Sequence, residues 1–350
     1  MSETLRVLAA ILLAGIVAFL AMRAFTSGSG PIDPAGMPRI LYVCDDGDYE
    51  ICAVNADGTQ FAQLTSNSTR DIRLSVNQRG EVAYLCARAG SSSETRFDLC
   101  ITDDRGVSSR RFENLRYQIN FSEYPLVLDN NTILYVCFDE DIGVEVCAMT
   151  TAGSNQRLLT SNNYVEFALS AQSNSNIAFI CVDESSASFF ETELCVMGPD
   201  GGSLRQITQN GLLERGVQIN RRGTILTNCY EDVLKNFGLC TTNTNGRELN
   251  MLSRPAVGNA YSMNSSGQIA FQCGSNLNSN ICVMLSNGSG FRQLTQSPDE
   301  DTNPTISDSG LIAYHCGFSV CVINFDGTGF REITTSIQPT PVSDQKIQIR

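Results

Sequence analysis

Tryptophan is absent from this 350-residue chain, histidine occurs once, and no cysteine is left without a counterpart. A single histidine, His315, excludes any mechanism that needs two. It stands beside Cys316 in an apolar run, where a satisfied strand histidine is expected. No Gly-x-Ser-x-Gly elbow occurs, because Gly317-Phe318-Ser319-Val320 breaks the pattern at its last position. Carboxylate pairs are plentiful, yet a glycosidase-like pair needs one carboxyl kept protonated by burial, and the acidic loops read as exposed. The chain is therefore not expected to be an enzyme, and no catalytic residue is assigned.

What is present is order. Fourteen cysteines fall as seven pairs, one per period of 42 to 51 residues: Cys44 with Cys52, Cys86 with Cys100, Cys137 with Cys147, Cys181 with Cys195, Cys229 with Cys240, Cys273 with Cys282, and Cys316 with Cys321. Even numbers at a fixed repeat position point to disulfides and an oxidising compartment. Zinc fits badly, since two thiolates per repeat leave each ion two ligands short. Cross-strand neighbours on an antiparallel pair lie about 4.5 to 5.5 Å apart at Cα, so the members of each pair are expected to face each other across a hairpin.

Short apolar runs lead into the first cysteines, as in Ile40-Leu41-Tyr42-Val43-Cys44, Ile133-Leu134-Tyr135-Val136-Cys137 and Ile177-Ala178-Phe179-Ile180-Cys181, and each reads as a β-strand. Another strand follows the second cysteine, then a turn built on glycine, such as Asn55-Ala56-Asp57-Gly58 or Asn324-Phe325-Asp326-Gly327. The next strand ends on a polar-apolar phrase: Gln63-Leu64-Thr65, Arg157-Leu158-Leu159-Thr160, Arg205-Gln206-Ile207-Thr208 or Arg292-Gln293-Leu294-Thr295. A fourth closes with a turn such as Asn77-Gln78-Arg79-Gly80 or Asn264-Ser265-Ser266-Gly267. Four strands per period define a propeller blade, and seven first cysteines count seven blades.

The fold class is all-β, a seven-bladed β-propeller of four-stranded blades over residues 40–350, with one hairpin disulfide in each blade. The chain enters blade one at its second strand. Pro341-Val342-Ser343-Asp344 echoes Pro304-Thr305-Ile306-Ser307-Asp308, an innermost-strand phrase, and is expected to complete blade one and close the ring.

Units such as Asn303-Pro304-Thr305-Ile306-Ser307-Asp308-Ser309-Gly310-Leu311-Ile312-Ala313-Tyr314, followed by Asn324-Phe325-Asp326-Gly327 and Arg331-Glu332-Ile333-Thr334, resemble the propeller repeat of TolB-type periplasmic proteins, the WD40-like PD40 repeat. The resemblance covers roughly residues 40–344 and implies the propeller fold. Unit two, with Arg110-Arg111-Phe112 in place of the Leu-Thr phrase, departs furthest from it, and the paired cysteines are not part of the family pattern.

Residues 7–22 are uncharged and almost wholly apolar, between Arg6 and Arg23. Residues 1–26 read as a signal anchor or signal peptide, with the uncleaved anchor preferred because no clear Ala-x-Ala site follows. Residues 27–39, rich in Gly, Ser and Pro, read as a linker. Either reading places the propeller outside the cytoplasm, in the periplasm or at the cell surface, and secreted if the segment is cleaved.

Net charge is −13, and it is localised. The stretches between paired cysteines hold 16 acidic residues against Arg88, Arg96 and Lys235, and the rest of the chain is neutral. In a propeller these loops share one face, so Asp45, Asp46, Asp48, Glu50, Asp139, Glu140, Asp141, Asp183, Glu184, Glu231 and Asp232 are expected to form an acidic arc. Such a field attracts a protein or peptide with a basic surface and repels nucleic acid. Tyr49, Phe97, Phe138, Phe189, Phe190, Tyr230 and Phe237 lie in the same loops and are candidate anchors. No cofactor is expected. Calcium is the metal the loops could hold, through residues 45–50 or 139–141, although neither follows the twelve-residue calcium loop. The first functional reading is thus an exported, membrane-tethered binding module. A second is a disulfide-hardened envelope component that associates with itself, and a third is an enzyme acting on a saccharide or peptide in the central funnel.

Overall fold

The computed structural model describes residues 37–89, 96–141, 143–172, 175–185, 192–230, 237–246, 249–253, 260–275, 278–333 and 345–350. The chain divides into Met1–Met37 and Pro38–Arg350, and the second unit is the propeller. The anchor reading and most of the linker reading fall on residues 1–36, outside the described residues. Among those described, no helix is long and apolar enough to cross a membrane.

Seven sheets follow in chain order, their strands antiparallel from the inside outward. Blade two shows the plan: Asp71–Val76 lies innermost, then Glu81–Ala87, Phe97–Asp103 and, outermost, Ser109–Phe112. The two middle strands are buried on both faces, which is why their sequences run apolar instead of alternating. Their side chains meet the neighbouring blade: Leu85, Leu99 and Phe112 pack with Ile133, Tyr135 and Met149 of blade three. A single blade therefore cannot complete its own core. Outermost strands are only two to four residues long, so little unpaired edge is exposed.

Turn chemistry follows the sequence. Each of the seven turns between third and fourth strands carries a glycine at positive φ, from 67° at Gly246 to 90° at Gly201. At Gly201 a Cβ would stand 2.7 Å from the Leu159 carbonyl of the preceding blade, so this glycine also permits the close approach of two blades.

All seven disulfides join the expected cysteines, with Cα atoms 5.8 to 5.9 Å apart. The partners are diagonal rather than directly opposite: Cys44 faces Glu50, and Cys52 faces Tyr42. The same two-residue offset recurs in blade two, where Cys86 faces Asp98 and Tyr84 faces Cys100. The right-handed twist of the strand pair draws one diagonal inward to bonding distance.

Ring closure uses the C-terminus, but further along than expected. Gln348–Ile349 pairs with Ile40 and Leu41 of the strand Arg39–Asp45, whereas residues 341–344 lie outside the described residues. Ile347 is fully buried, and its alternation with Gln348 and Ile349 suits a strand. Arg350 and Arg39 exchange backbone hydrogen bonds of 3.1 and 2.9 Å, and the Arg350 guanidinium pairs with Asp104 of blade two. Arg331 Nη1 of blade seven donates to the Asp57 carbonyl of blade one at 2.7 Å.

Candidate functional site

Every blade repeats one strand order, so the loops between second and third strands open on one face. There Asp45, Asp46, Glu140, Asp141, Asp183 and Glu184 are exposed, and Asp48 and Asp139 are half-buried. Glu231 and Asp232 lie outside the described residues. Three of these acids also shape their own turns: Asp45 Oδ1 accepts from Gly47 N at 3.0 Å, Asp139 Oδ1 from Asp141 N at 3.0 Å, and Asp183 Oδ1 from Ser185 N at 2.8 Å. The Ser185 hydroxyl and amide hold Asp183 below the usual carboxylate range.

Glu50 does not belong to the exposed rim. It is fully buried, and it exposes a second layer of acids that the charge count had merged with the first. Glu50, Glu145 and Glu193 lie opposite the first cysteine of their hairpins, pointing at the next blade. From that blade's innermost strand come Asp71, Glu166 and Glu214, each fully buried.

A recurrent connection, Thr-x-Asn-x-x-x-acid, builds these seams at Thr65-Asn67-Asp71, Thr160-Asn162-Glu166 and Thr208-Asn210-Glu214. Between blades three and four, Asn162 N donates to Glu145 Oε1 at 3.1 Å and Asn162 Nδ2 to Glu166 Oε1 at 2.7 Å. The threonine hydroxyl accepts from the third strand, as from Val146 N at 2.8 Å. Between blades one and two, Asn67 N donates to Glu50 Oε1 at 2.7 Å, and Asn67 Nδ2 to Asp71 Oδ2 at 2.8 Å.

Burial pushes the carboxyls of Asp71, Glu166 and Glu214 up to about 8, and the facing Glu50, Glu145 and Glu193 push the same way. Two carboxyls facing each other away from water do not both ionise, so a proton is shared in the pairs Glu50–Asp71 and Glu145–Glu166, whose carboxyls are hydrogen-bonded to each other. Opposite Cys273, Asn280 stands where blades one to four have an acid, accepting from Ser297 N at 3.3 Å. Burial raises Asp301 as well. Buried carboxyls that hold a proton are therefore present in the seams between blades, apart from the exposed rim.

Blade two solves the same problem with ion pairs. Asp98, 4 % exposed, meets Arg88 at 2.6 Å and Arg111 at 2.9 Å, which explains why Arg110-Arg111-Phe112 replaces the Leu-Thr phrase there.

Of the loop aromatics, Phe138 is exposed, whereas Tyr230 and Phe97 are buried, Phe97 stacking on Phe121 at 6.2 Å. Tyr49 is half-buried beneath the Arg70 guanidinium, 4.7 Å from its ring centroid. Phe189, Phe190 and the Phe237 side chain lie outside what is described. Phe318, in the uncharged loop of blade seven, is 71 % exposed on the same face and had no charge pattern to mark it.

The innermost strands enclose a cavity of about 1060 Å³ whose chemistry differs from the rim. Arg73, Arg215 and Lys346 reach it, with Glu123 and Tyr124 from the break in blade three's inner strand. Arg73 and Lys346 flank the Tyr124 ring at 5.3 and 5.2 Å. The surrounding protein lowers the Lys346 ammonium and Arg73 adds to this, while Glu123 opposes it. Inner strands of blades two, four, five and seven carry bulges there, at the left-handed residues Arg73, Ala168, Gly216 and Asn303. His315 is buried, its Nε2 3.3 Å from the Gln345 carbonyl, and burial brings its pKa down to about 4. It is a neutral strand histidine.

These features define a class: a disulfide-stapled, seven-bladed β-propeller with an acidic loop face. No protein-family model and no curated protein sequence matches the chain. Among solved structures it is similar to TolB from Acinetobacter baumannii, at 16 % identity and a TM-score of 0.52, over 74 % of this chain and 65 % of that one. It thus spans just under two thirds of that protein. Oligogalacturonate lyase from Vibrio parahaemolyticus is similar over 87 % of this chain and 86 % of its own, at 10 % identity and a TM-score of 0.60. Puromycin hydrolase is similar over 90 % of this chain but 56 % of its own, at 13 % identity and a TM-score of 0.65. At these identities the likeness is one of fold, shared by TolB and by enzymes.

Proposed function

We propose that this chain is an exported, membrane-tethered propeller that binds a protein or peptide of basic surface through its acidic loop face. The observation that carries the reading is the exposed acidic set, Asp45, Asp46, Glu140, Asp141, Asp183 and Glu184, beside exposed Phe138 on disulfide-stapled hairpins. An exposed aromatic is a usual anchor, and the charge speeds encounter. Seven disulfides support an oxidising compartment, and the apolar residues 7–22 support the tether.

The test compares the purified chain with a variant in which Asp46, Glu140, Asp141 and Glu184 are amides, leaving the turn-forming acids intact. Both are used to capture exported proteins, with elution by salt. A basic partner held by the wild type, released at moderate salt and lost by the variant is expected. Identical capture by both sinks the reading.

Exposed apolar residues on the opposite face, Phe291 at 57 % and Phe330 at 62 %, favour self-association as a second reading. Sedimentation of Phe291→Ser/Phe330→Ser beside the wild type separates the two, since only the second reading requires oligomers that this variant loses.

A further inference from the structure

The central channel is opposite in sign to the acidic face, and it already seats a carboxylate of the chain itself. Glu123 comes from the break in blade three's inner strand, and its Oε2 accepts from Ala168 N of blade four at 2.9 Å. Ala168 is the left-handed residue of the bulge in that blade's inner strand. Burial raises the Glu123 carboxyl, and the Ala168 amide, Lys346 and Arg73 pull it the other way. A carboxylate is thus held in this channel by a bulge amide with cations in reach. At the equivalent bulge of blade two, Arg73 N likewise donates to an oxygen from another element, Gln345 Oε1 at 3.0 Å.

The far wall repeats the pattern without a carboxylate in it. Blade five has its bulge at the left-handed Gly216, directly after Arg215. Arg215 is exposed, its guanidinium 5.9 Å from the Tyr230 ring centroid, and among the described residues it makes no ion pair. Its neighbour Glu214 is turned into the seam and holds its proton. Blade five stands three blades round the ring from blade two, so Arg215 and the Arg73–Lys346 pair lie on opposite walls. Lys346 is exposed to the channel, yet protein walls it closely enough to lower its ammonium. These three cations outnumber the carboxylate of Glu123, in a chain whose net charge is −13. The other carboxylates lining the cavity, Asp129 and Asp308, belong to turns at the mouth away from the acidic loops, where Arg221 and Arg350 balance them.

We propose that the channel binds a small dicarboxylate, with one carboxylate on Arg73 and Lys346 and the other on Arg215 beside the Gly216 bulge. The planar guanidinium fork matches a carboxylate with two parallel N–H donors, and lysine adds a point charge. Half-buried Leu126 and Leu169 also line the cavity and suit a short methylene chain. The acidic face repels such a ligand, so it enters by the opposite mouth, past Arg221. The site stands apart from the rim and does not depend on a protein partner there.

The test titrates the solubilised, oxidised full chain by calorimetry, at neutral pH and low salt, with the dicarboxylates from succinate to suberate and with propionate. One dicarboxylate per chain is expected, with a dissociation constant of about 1 mM or below at the length that spans the two walls. Propionate should bind at least about tenfold more weakly, since it meets only one wall. Arg215→Gln and Lys346→Gln should each weaken the best dicarboxylate by about tenfold or more, the loss of one charged hydrogen bond. Arg215→Gln breaks no ion pair among the described residues, so its melting temperature without ligand should equal that of the wild type. Arg222→Gln removes the same charge from the turn of blade five, outside the cavity lining, and should change affinity by less than about twofold. Absence of binding by every dicarboxylate at about 10 mM overturns the proposal. So does wild-type affinity in folded Arg215→Gln, an equal loss in Arg222→Gln, or propionate binding as tightly as the best dicarboxylate.

Discussion

Asn162 does more for this molecule than its place in a connection implies. Its backbone N–H serves Glu145 and its side-chain Nδ2 serves Glu166 of the next blade, so Asn162→Ala keeps the first bond and leaves the buried Glu166 short of a donor. A loss of about 1 to 3 kcal/mol is expected, read as a lower urea midpoint. Glu166→Gln should behave oppositely: the amide keeps the shape and replaces the shared proton with N–H. Its stability at pH 9 should equal or exceed that of the wild type. At this scale the sequence was legible but incompletely read. The Leu-Thr phrase stands out as a strand ending, while the acid six residues past the threonine looks like an exposed loop charge until its facing blade is known.

At the scale of elements, the seams make stability depend on pH. Glu166 and Glu214 hold protons in the native state up to about pH 8, whereas an unfolded chain releases them near the ordinary glutamate value of about 4.3. The native state therefore binds more protons across that window, and the stabilisation is full below it and lost as pH rises through about 8. Urea midpoints should fall between about pH 4.5 and 8, and the fall should be shallower in Glu166→Gln.

The hairpin disulfides are graded by loop length. Cys181–Cys195 spans a separation of 14 and Cys316–Cys321 one of 5. Loop-closure entropy makes removal of the first costlier by about 0.8 kcal/mol, provided each cysteine pair is replaced by serines and midpoints are compared in the same buffer. Pairing partners were legible from spacing, but the diagonal register was not, since strand twist is a property of the formed sheet.

For the whole molecule, closure is the vulnerable step. Blade one has an innermost strand only because Gln348–Ile349 returns to it, with Ile347 in the core between blades one and seven. Ile347→Ala should cost about 2 to 5 kcal/mol by denaturant unfolding, and, if the ring opens first at this seam, amides of Arg39–Asp45 should lose exchange protection before those of blade four.

The cysteine period, the apolar runs and the turn glycines are local, repeated signals, and from them the sequence alone determined the all-β class, the count of seven blades, the disulfide partners and an oxidising compartment. Which acids face water and which face another acid was decided only by tertiary structure. Asp46 and Glu50 are four residues apart on one hairpin, and their difference comes from the neighbouring blade, which leaves one in solvent and seals the other against Asp71. The same holds for closure, where a strand near residue 348 finds its partner near residue 40 because the blades, once stacked, bring the two ends of the ring together.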